Sequence, residues 1–441
     1  MQIKKFLPIL LIISPSCYLN TGCMNENEII FANFESYMSI NLIRQYQNEA
    51  QFIYYGTNEE IQTKFKQNYD VAIPTTYEAI DLLSQNLLEK IDWSLFNLTN
   101  ENSELITNGH EAEVLFTDEI NNIMNSMTEY CKEKMPEYFS NNETLYDYCI
   151  PYFLQSFIFA YKGCRAIDEL DNCTNWNDYI TQMTKNKYFD PTKTSHIGMV
   201  DDSRTIYDLA HIMLTENNTN KPYINPDNEN QSISEYRKDY QAFTKYFYGK
   251  NNFYFNTDSQ EILNSLSNPS GNHSSFAYNG DILYAAMGAG LYDSWNENNF
   301  HISNIKDSVL ALDVVVLNKK LDKKLTHKQK VYNIVNKICL NGCDKGERIS
   351  DTKENDDYVY GIMENFDYVN YTAVFKNIDD YVLNGDYFSE EEYAPEEINL
   401  YKKIYKIVAD NDDISRLIEL PISNLAKSNM HWAYNEEKEK I

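Results

Sequence analysis

Short apolar runs alternate with amphipathic stretches over the first hundred residues, the order typical of a parallel sheet covered by helices. In chain order the pattern predicts a strand over 28–33, a helix over 40–46, a strand over 51–55, a helix over 59–65 and a strand over 70–74. The first strand ends in NFESY, from Asn33 to Tyr37, and the third continues into IPTTY, from Ile73 to Tyr77. Open parallel sheets hold their ligands where the strands end, so this pattern predicts capture of a small molecule.

The alternation breaks off over 100–147, a stretch rich in Asn and Glu that we interpret as an insertion on the surface of the first lobe. Regular structure resumes at 149–152. The second half predicts strands over 196–200, 274–278 and 309–317, and helices over 204–214, over 281–287, after Thr326 and over 396–408. Strands that alternate with helices in both halves predict the α/β class.

Length and charge narrow the class of protein. A chain of 441 residues is too long for one ordinary hydrophobic core, so two packed lobes are expected. The net charge of -28 argues against nucleic acid binding, because phosphate recognition needs a basic face. The same charge either attracts cationic ligands at long range or serves solubility alone, and both alternatives stay open.

The N-terminus predicts an export signal. Lys4 and Lys5 precede an apolar run over 6–13, which is too short to span a bilayer. NTGC, ending at Cys23, resembles the lipobox of bacterial lipoproteins, and Cys17 is the alternative lipidation site. Residues 1–23 are therefore predicted to be a lipoprotein signal peptide, and the lipid would anchor the chain to the outer face of the cell membrane.

The remaining cysteines do not form a metal motif. They are Cys131, Cys149, Cys164, Cys173, Cys339 and Cys343. In an exported protein, local disulfides between Cys164 and Cys173 or between Cys339 and Cys343 are one alternative, and unpaired thiols are the other. The pair at 339 and 343 has no His beside it, so we predict no metal site.

Motifs for catalysis are missing from the sequence. It contains no Gly-rich phosphate loop, no GxSxG nucleophile motif and no HExxH zinc motif, and its seven His are scattered. Paired carboxylates of the glycosidase type stay open, since acidic residues occur throughout. The sequence favours a binding protein that needs no cofactor over an enzyme.

Six short motifs follow one another along the chain: NFESY at 33–37, IPTTY at 73–77, IPY at 150–152, TNW at 174–176, VDDSR at 200–204 and AYNG at 277–280. In these motifs the chain, from Glu28 to about Phe375, resembles the spermidine/putrescine-binding proteins of ABC importers. The resemblance implies the type II periplasmic-binding-protein fold. In that fold two lobes, each a parallel or mixed sheet with flanking helices, are joined by two hinge crossovers, here near Pro151 and Asp313.

The resemblance also implies domains and a function. The first lobe would comprise 28–150 and 313–371, the second lobe 151–312, and the C-terminal segment 372–441 would return over the second lobe. The protein would be a monomeric, extracytoplasmic lipoprotein that binds a polyamine, catalyses nothing and delivers its ligand to the permease subunits of an ABC transporter. Two alternatives stay open: a type II binding protein for another small solute, such as an amino acid derivative or a chelated metal, and a surface lipoprotein that serves as an adhesin or antigen.

A linear polyamine needs carboxylates at its ammonium groups and flat aromatic walls along its methylenes. The positions that match the family's ligand-binding residues are Phe34, Tyr37, Thr75, Tyr77, Asp202, Tyr278, Asp313 and Tyr371. The resemblance implies that Asp202 and Asp313 meet the amines, that Thr75 offers a hydroxyl, and that the aromatic residues form the walls.

Asp313 is the most informative of these residues. It interrupts the apolar run LALDVVVL over 310–317, where an unpaired carboxylate is costly. A cationic ligand would remove that cost, and a helix cap or a lysine partner are the alternatives.

Three positions depart from the family pattern. Thr205 stands where a second acidic residue is expected, Ala311 where an aromatic residue often precedes the crossover Asp, and Phe34 where the family has Trp. The resemblance therefore implies that this chain has one acidic contact to the amine and one aromatic wall fewer than the family pattern. Glu35 could supply the missing charge or lie in solvent, and Asp201 is the alternative to Asp202 if the register shifts by one.

Overall fold

The computed structural model describes residues 29–139, 142–185, 197–219, 223–246, 253–295, 299–323, 325–343, 361–385, 387–388, 393–407 and 414–440. The predicted signal peptide and both candidate lipidation sites, Cys17 and Cys23, lie outside the described residues, as do the ends of two predicted elements at His196 and Val408.

The chain forms ten strands in its described part. They are β1 (Ile29–Phe34), β2 (Ala50–Tyr55), β3 (Val71–Ala72), β4 (Cys149–Lys162), β5 (Ile197–Val200), β6 (Phe253–Asn256), β7 (Ser274–Tyr278), β8 (Phe300–Ser303), β9 (Leu310–Leu317) and β10 (Thr372–Ala373).

Sixteen helices lie in the same residues. They are α1 (Ile40–Tyr46), α2 (Asn58–Asn68), α3 (Thr76–Ser84), α4 (Gly109–Ala112), α5 (Asp118–Lys134), α6 (Asp168–Asp171), α7 (Trp176–Lys185), α8 (Ser203–Thr219), α9 (Ile233–Tyr246), α10 (Ser259–Ser267), α11 (Asn279–Ala286), α12 (Leu325–Val335), α13 (Gly361–Val369), α14 (Lys376–Leu383), α15 (Pro395–Tyr405) and α16 (Asn424–Lys438). Short helical turns add to them, among them Asn336–Leu340 after α12 and Ile414–Leu417 before α16.

The strands follow the order β2-β1-β3-β9-β4-β7-β5-β6, with β8 and β10 also paired to β4. The pairs β1–β2, β1–β3, β5–β6 and β5–β7 are parallel, whereas β9 runs antiparallel to both β3 and β4. Parallel pairs need crossover connections, and helices supply them here. The sheets are therefore mixed and helix-covered, which confirms the predicted α/β class.

Strand β4 belongs to two groups of strands. Up to Ser156 it pairs with β9, and from Phe157 onward it pairs with β7 and β8. A second passage between the groups is the segment from Ser303 to Leu310, which joins β8 to β9. The two groups are the sheets of the two lobes, and these passages are the two crossovers. The predicted bounds of the individual domains stay a prediction.

Buried residues form two clusters. The larger surrounds β1, β3, β9 and the first half of β4, and it extends to Ile158 and Ala160 of β4 and to Phe300 and Ile302 of β8. The smaller surrounds the second half of β4 together with α7, α8 and α9, and α16 packs into it through Ala426, Met430 and Ala433. Helix α16, near the end of the chain, is thus part of the second core.

The stretch predicted to be an irregular insertion contains the 17-residue helix α5. The side chain of Thr117 accepts a hydrogen bond from the backbone N–H of Ile120 and caps its first turn. Its apolar face is made by Ile120, Ile123, Met124, Met127 and Cys131, which are buried. Asn and Glu occupy many of the remaining positions, which is why the composition of 100–147 concealed this helix.

Cys131, Cys149, Cys173 and Cys339 are free thiols in this structure. Burial raises the pKa of the Cys131 thiol to about 12, so this thiol stays protonated. Among the described residues no three His, Cys, Asp or Glu side chains converge as metal ligands would. None of the described helices combines the length and the apolar character that crossing a membrane requires.

Candidate ligand-binding site

Asp313 lies where the two lobes meet, on β9, and its side chain is fully buried. Antiparallel pairing sets it opposite Phe153 of β4, and a single bridge sets it opposite Thr75 before α3. The backbone N–H of Val314 donates to the carbonyl of Pro74 at 2.9 Å. The segment before α3 and the strand β4 therefore hold this part of β9 from both sides.

Two donors meet one oxygen of the Asp313 carboxylate. The hydroxyl of Tyr37 and the side-chain amide of Gln155 both donate to Oδ2, whereas the buried Oδ1 has no hydrogen-bond partner among the described residues. Burial raises the pKa of Asp313 to about 7, against the lowering effect of these two hydrogen bonds. In the described part of the chain Asp313 neither caps a helix nor pairs with a lysine, so the two alternative roles do not apply there.

Aromatic rings enclose Tyr37 and, with it, the carboxylate. The ring of Tyr37 lies 5.5 Å from that of Tyr371 and 5.9 Å from those of Phe34 and Tyr152, measured between centroids. The hydroxyl of Tyr371 donates to Oδ1 of Asp281 at 3.0 Å. These rings supply flat, apolar walls with polar tips, the surface that suits the methylenes and ammonium groups of an amine.

The turn after β1 aims Tyr37 inward. Ser36 has a φ of 59°, in the left-handed region, and reverses the chain. The side-chain amide of Asn33 then donates to the carbonyl of Tyr37 at 3.0 Å, and Ser39 caps α1 by accepting from the N–H of Asn41. The NFESY motif is therefore a turn that fixes one aromatic side chain in the site.

Thr75 and Tyr77 line a small cavity beside β9. Its volume is about 10 Å³, and its other walls include Ala311, Leu312 and Glu419. The hydroxyl oxygen of Thr75 is buried without a hydrogen-bond partner among the described residues. A cavity of this size holds about one water molecule, so it has no room for a larger ligand in this structure.

The two aspartates of the VDDSR motif have different surroundings. Asp201 accepts hydrogen bonds from Tyr434 and Lys438 of α16 and is thereby tied to the end of the chain. Asp202 is exposed and caps α8, accepting from the N–H of Thr205 at 2.7 Å and from its hydroxyl at 3.0 Å. Of the two, Asp202 keeps more capacity to meet a ligand.

A charged group that the sequence did not predict surrounds Arg204, the last residue of this motif, on α8. Arg204 Nε is 3.3 Å from Oδ1 of Asp208 and 3.3 Å from Oε1 of Glu419. Burial raises the pKa of Asp208 well above its usual value; Arg204 opposes this shift and Glu419 adds to it. Two carboxylates therefore share one guanidinium.

Tyr278 interacts electrostatically with both this charged group and Asp313. Burial raises the pKa of its hydroxyl well above the usual value, and the negative charges of Glu419, Asp208, Asp202 and Asp313 raise it further. Charges at both places therefore act on this one hydroxyl. Its ring packs edge-on against Phe157, at the point where β4 leaves the first lobe.

The structure thus brings Phe34, Tyr37, Asp313 and Tyr371 into one group. It places Thr75 and Tyr77 on the cavity beside β9 and leaves Tyr278 in electrostatic interaction with both Asp313 and the exposed Asp202. Sequence reasoning missed Gln155 and Glu419. Gln155 carried a usable signal, because it is a polar residue inside the apolar run of β4, as Asp313 is in β9. Glu419 carried none, since it is one of many acidic residues near the end of the chain.

Comparisons with known proteins bear on this fold. A family model described as hypothetical lipoprotein (MG045 family) matches residues 1–402. No curated protein matches the chain. Among solved structures, a protein described as a putative spermidine/putrescine ABC transporter from Listeria monocytogenes aligns with a TM-score of 0.53 and 17% identity, over 94% of this chain and 100% of that one.

Two further solved structures align over similar spans. The substrate-binding protein PotD of a spermidine/putrescine ABC transporter from Streptococcus pneumoniae gives a TM-score of 0.52 and 16% identity, over 94% of this chain and 99% of its own. The Tp0655 (TpPotD) lipoprotein of Treponema pallidum gives a TM-score of 0.51 and 14% identity, over 92% and 98%. At this level of identity the likeness shows a shared fold, the predicted two-lobed type II fold of solute-binding proteins.

Proposed function

This chain belongs to the family of hypothetical lipoproteins described as the MG045 family, and on that premise we propose that it is an extracytoplasmic solute-binding lipoprotein. It captures a polyamine such as spermidine or putrescine between its lobes and delivers it to the permease of an ABC importer. It catalyses no reaction itself. Cys23, or alternatively Cys17, carries the lipid that anchors it to the membrane.

The observation that carries this proposal is the environment of Asp313. The carboxylate is fully buried, and one of its oxygens has no hydrogen-bond partner among the described residues. An ionised carboxylate in such a place costs several kcal/mol unless a cation meets it. An ammonium group donates up to three hydrogen bonds and carries one positive charge, so it satisfies the free oxygen and the charge together.

The surrounding rings support an amine over other cations. The ring of Tyr37 packs against the ring of Tyr371, and the hydroxyl of Tyr37 donates a hydrogen bond to Asp313. A cation beside such a ring gains about 0.5 to 2 kcal/mol per favourable contact. Metal ions of the hard type prefer several carboxylate or carbonyl oxygens, and no such convergence of acidic ligands occurs in the part of the chain described here.

Binding requires the lobes to separate first. The cavity beside β9 measures about 10 Å³, far below the volume of a diamine. The two passages between the lobes, inside β4 and between β8 and β9, allow a hinge motion that opens the cleft. The ligand then selects the closed state, because only that state offers contacts from both lobes.

Calorimetry tests the proposal. We would titrate the full chain, purified in detergent, with putrescine, spermidine and spermine, alongside Asp313→Asn and the control Glu396→Gln, an exposed residue of α15. We expect a dissociation constant of about 1 μM or tighter, about -8 kcal/mol, lost in Asp313→Asn and kept in Glu396→Gln. Absence of heat and of any thermal shift with all three amines would refute polyamine binding.

The small volume of the cavity beside β9 is the observation that favours a second candidate, a surface lipoprotein that keeps the fold without carrying a ligand. Such a protein would give no response to the amines or to other small solutes. A response to a different solute, such as an amino acid derivative, would instead indicate a binding protein of the same fold with another cargo.

A further inference from the structure

We infer that Glu419 supplies the second anionic pole of the proposed amine site, so that the ligand is a linear amine with two cationic ends, one at Asp313 and one at Glu419. The inference rests on the proposed function and specifies which residue recognises the far end of the ligand. Glu419 lies beyond residue 402, where the match to the family model ends.

The backbone around Glu419 is held on both sides. Ile418 forms a parallel bridge with Leu310, the first residue of β9. The side chain of Asn225 donates to the carbonyl of Ile418 at 2.8 Å and accepts from the N–H of Leu420 at 2.6 Å. With its two neighbours fixed in this way, Glu419 has a defined position rather than that of a free loop residue.

That position is the wall of the cavity beside β9. Glu419 lines it together with Thr75, Tyr77 and Ala311. The small side chain of Ala311, at a position where the resemblance places an aromatic residue, leaves room for a carboxylate to reach the cavity. The buried hydroxyl oxygen of Thr75 adds an acceptor without a hydrogen-bond partner among the described residues. Two residues with acceptor groups thus line this cavity, and its wall also includes Leu312, the neighbour of Asp313 in β9.

The charges around the cavity leave a place for one more cation. Asp202, Asp208 and Glu419 carry three acidic groups, and Arg204 is the guanidinium between the last two. Other titratable groups that interact with them in the described part of the chain include the phenols of Tyr77, Tyr207, Tyr236, Tyr240 and Tyr278. The ammonium of Lys427 lies 6.0 Å from the centroid of the Tyr77 ring. Because burial raises the pKa of Asp208 well above its usual value, Arg204 faces the charges of Glu419 and of the exposed Asp202, one more than a single guanidinium balances, so the group attracts a ligand ammonium.

Glu419 also accounts for the departure at Thr205. The hydroxyl and N–H of Thr205 both donate to Asp202, so this residue strengthens a helix cap and brings no charge. The missing acidic group is replaced from a different part of the chain, by a residue that reaches the cleft through the Leu310–Ile418 bridge. Recognition at two ends selects diamines and longer polyamines over amines with one charged end.

The test compares putrescine with N-acetylputrescine, in which one end is neutral, by calorimetry on the full chain in detergent. We expect the wild type to prefer putrescine at least tenfold, and Glu419→Gln to bind putrescine at least tenfold more weakly with a preference below threefold. Glu419→Asp keeps the charge and should retain most of the preference. Glu396→Gln, the same substitution at an exposed site in the C-terminal segment, should behave as the wild type.

The outcomes separate this inference from the proposed function. If the wild type binds putrescine and Glu419→Gln binds it within twofold of the wild type, the inference is wrong and the polyamine site stands. If the wild type binds no amine, the proposed function fails and the inference with it. Thermal unfolding of each variant identifies loss of fold. If Glu419→Gln does not fold, the test uses the wild type alone. A preference of the wild type for putrescine over N-acetylputrescine below threefold then overturns the inference, and a preference of at least tenfold supports it.

Discussion

The hydroxyl of Tyr37 donates a hydrogen bond to the carboxylate of Asp313, a residue 276 positions further along the chain. This bond connects the turn after the first strand to the strand that re-enters the first lobe. The other carboxylate oxygen has no hydrogen-bond partner among the described residues, on a side chain that is fully buried. Both the stability and the proposed ligand binding of the protein therefore depend on how this one carboxylate is neutralised.

Replacing Tyr37 by Phe removes one of the two donors to Asp313 and keeps the ring. Because hydrogen bonds to the carboxylate lower its pKa, we expect the pKa of Asp313 to rise above about 7 and putrescine affinity at pH 7 to fall about tenfold. Calorimetry across pH measures both. Tyr371→Phe is the matched control, because its hydroxyl donates to Asp281 and not to Asp313. An unchanged pH midpoint in Tyr37→Phe would contradict the expectation.

Amine affinity should fall as the pH decreases through about 7. Below that pH Asp313 is protonated in the free protein, and an ammonium group must displace the proton to bind. The dissociation constant of putrescine is expected to rise up to tenfold per pH unit between 7 and 5, with release of a proton on binding. Burial also raises the pKa of Asp281 to about 6, so Asp281→Asn should be measured in parallel. A pH-independent affinity would exclude Asp313 as the anionic contact.

The stability of the free protein should change with pH in the opposite sense. Asp313 has its pKa raised from 3.8 to about 7, so between these values the folded state holds a proton that the unfolded chain has released. The free energy of unfolding therefore decreases as the pH rises from about 4 to about 7, at most by about 1.4 kcal/mol per unit from this group. Asp313→Asn should flatten this slope in urea titrations, whereas Asp168→Asn, at an exposed position, should leave it unchanged.

Removing one partner of the ion pair between Arg416 and Asp307 should destabilise the protein. Arg416 Nη2 lies 2.6 Å from Oδ1 of Asp307, and both side chains are over nine-tenths buried. Arg416→Met leaves the carboxylate buried without this cation and should reduce the free energy of unfolding by about 3 to 5 kcal/mol. Adding Asp307→Asn should restore a large part of the loss. If the double variant is less stable than Arg416→Met, the pair does not act as described.

Gly280 of the AYNG motif should tolerate no side chain. A Cβ at this position would meet the Tyr371 ring at 2.5 Å and the carbonyl of Val369 at 2.7 Å. Gly280→Ala should therefore displace Tyr371, cost about 1 to 3 kcal/mol of stability and weaken putrescine binding. In Gly56→Ala the nearest atom is the Glu60 carboxylate at 3.5 Å, an ordinary contact, so that variant should bind normally. Equal affinities in the two variants would argue against a role of Tyr371 in the site.

Periodic elements could be predicted closely from the sequence. The first strand, predicted over 28–33, forms at Ile29–Phe34, and the strand predicted over 274–278 forms at Ser274–Tyr278. The strand predicted over 70–74 shrinks to Val71–Ala72, because Pro74 has no N–H to donate. Helix α5 was missed where polar residues outnumber apolar ones.

Residues of the site could be predicted only where the sequence places a polar side chain inside an apolar run. The sequence alone pointed to Asp313, because a carboxylate inside the apolar run of β9 needs a partner, and the same reasoning would have found Gln155 in β4. Glu419 shows the limit, because its importance arises from a bridge between Ile418 and Leu310, more than a hundred residues apart in sequence. No local pattern records such a contact.

The continuous course of β4 through both lobes has a consequence for the affinity of the proposed ligand. Residues on either side of Ser156 and Phe157 cannot drift apart, and the segment between β8 and β9 restrains them a second time. Once an amine rests on one lobe, the other lobe is already present at a high effective concentration. Little of the interaction free energy is then lost in bringing the two surfaces together, and weak individual contacts can add up to selective capture.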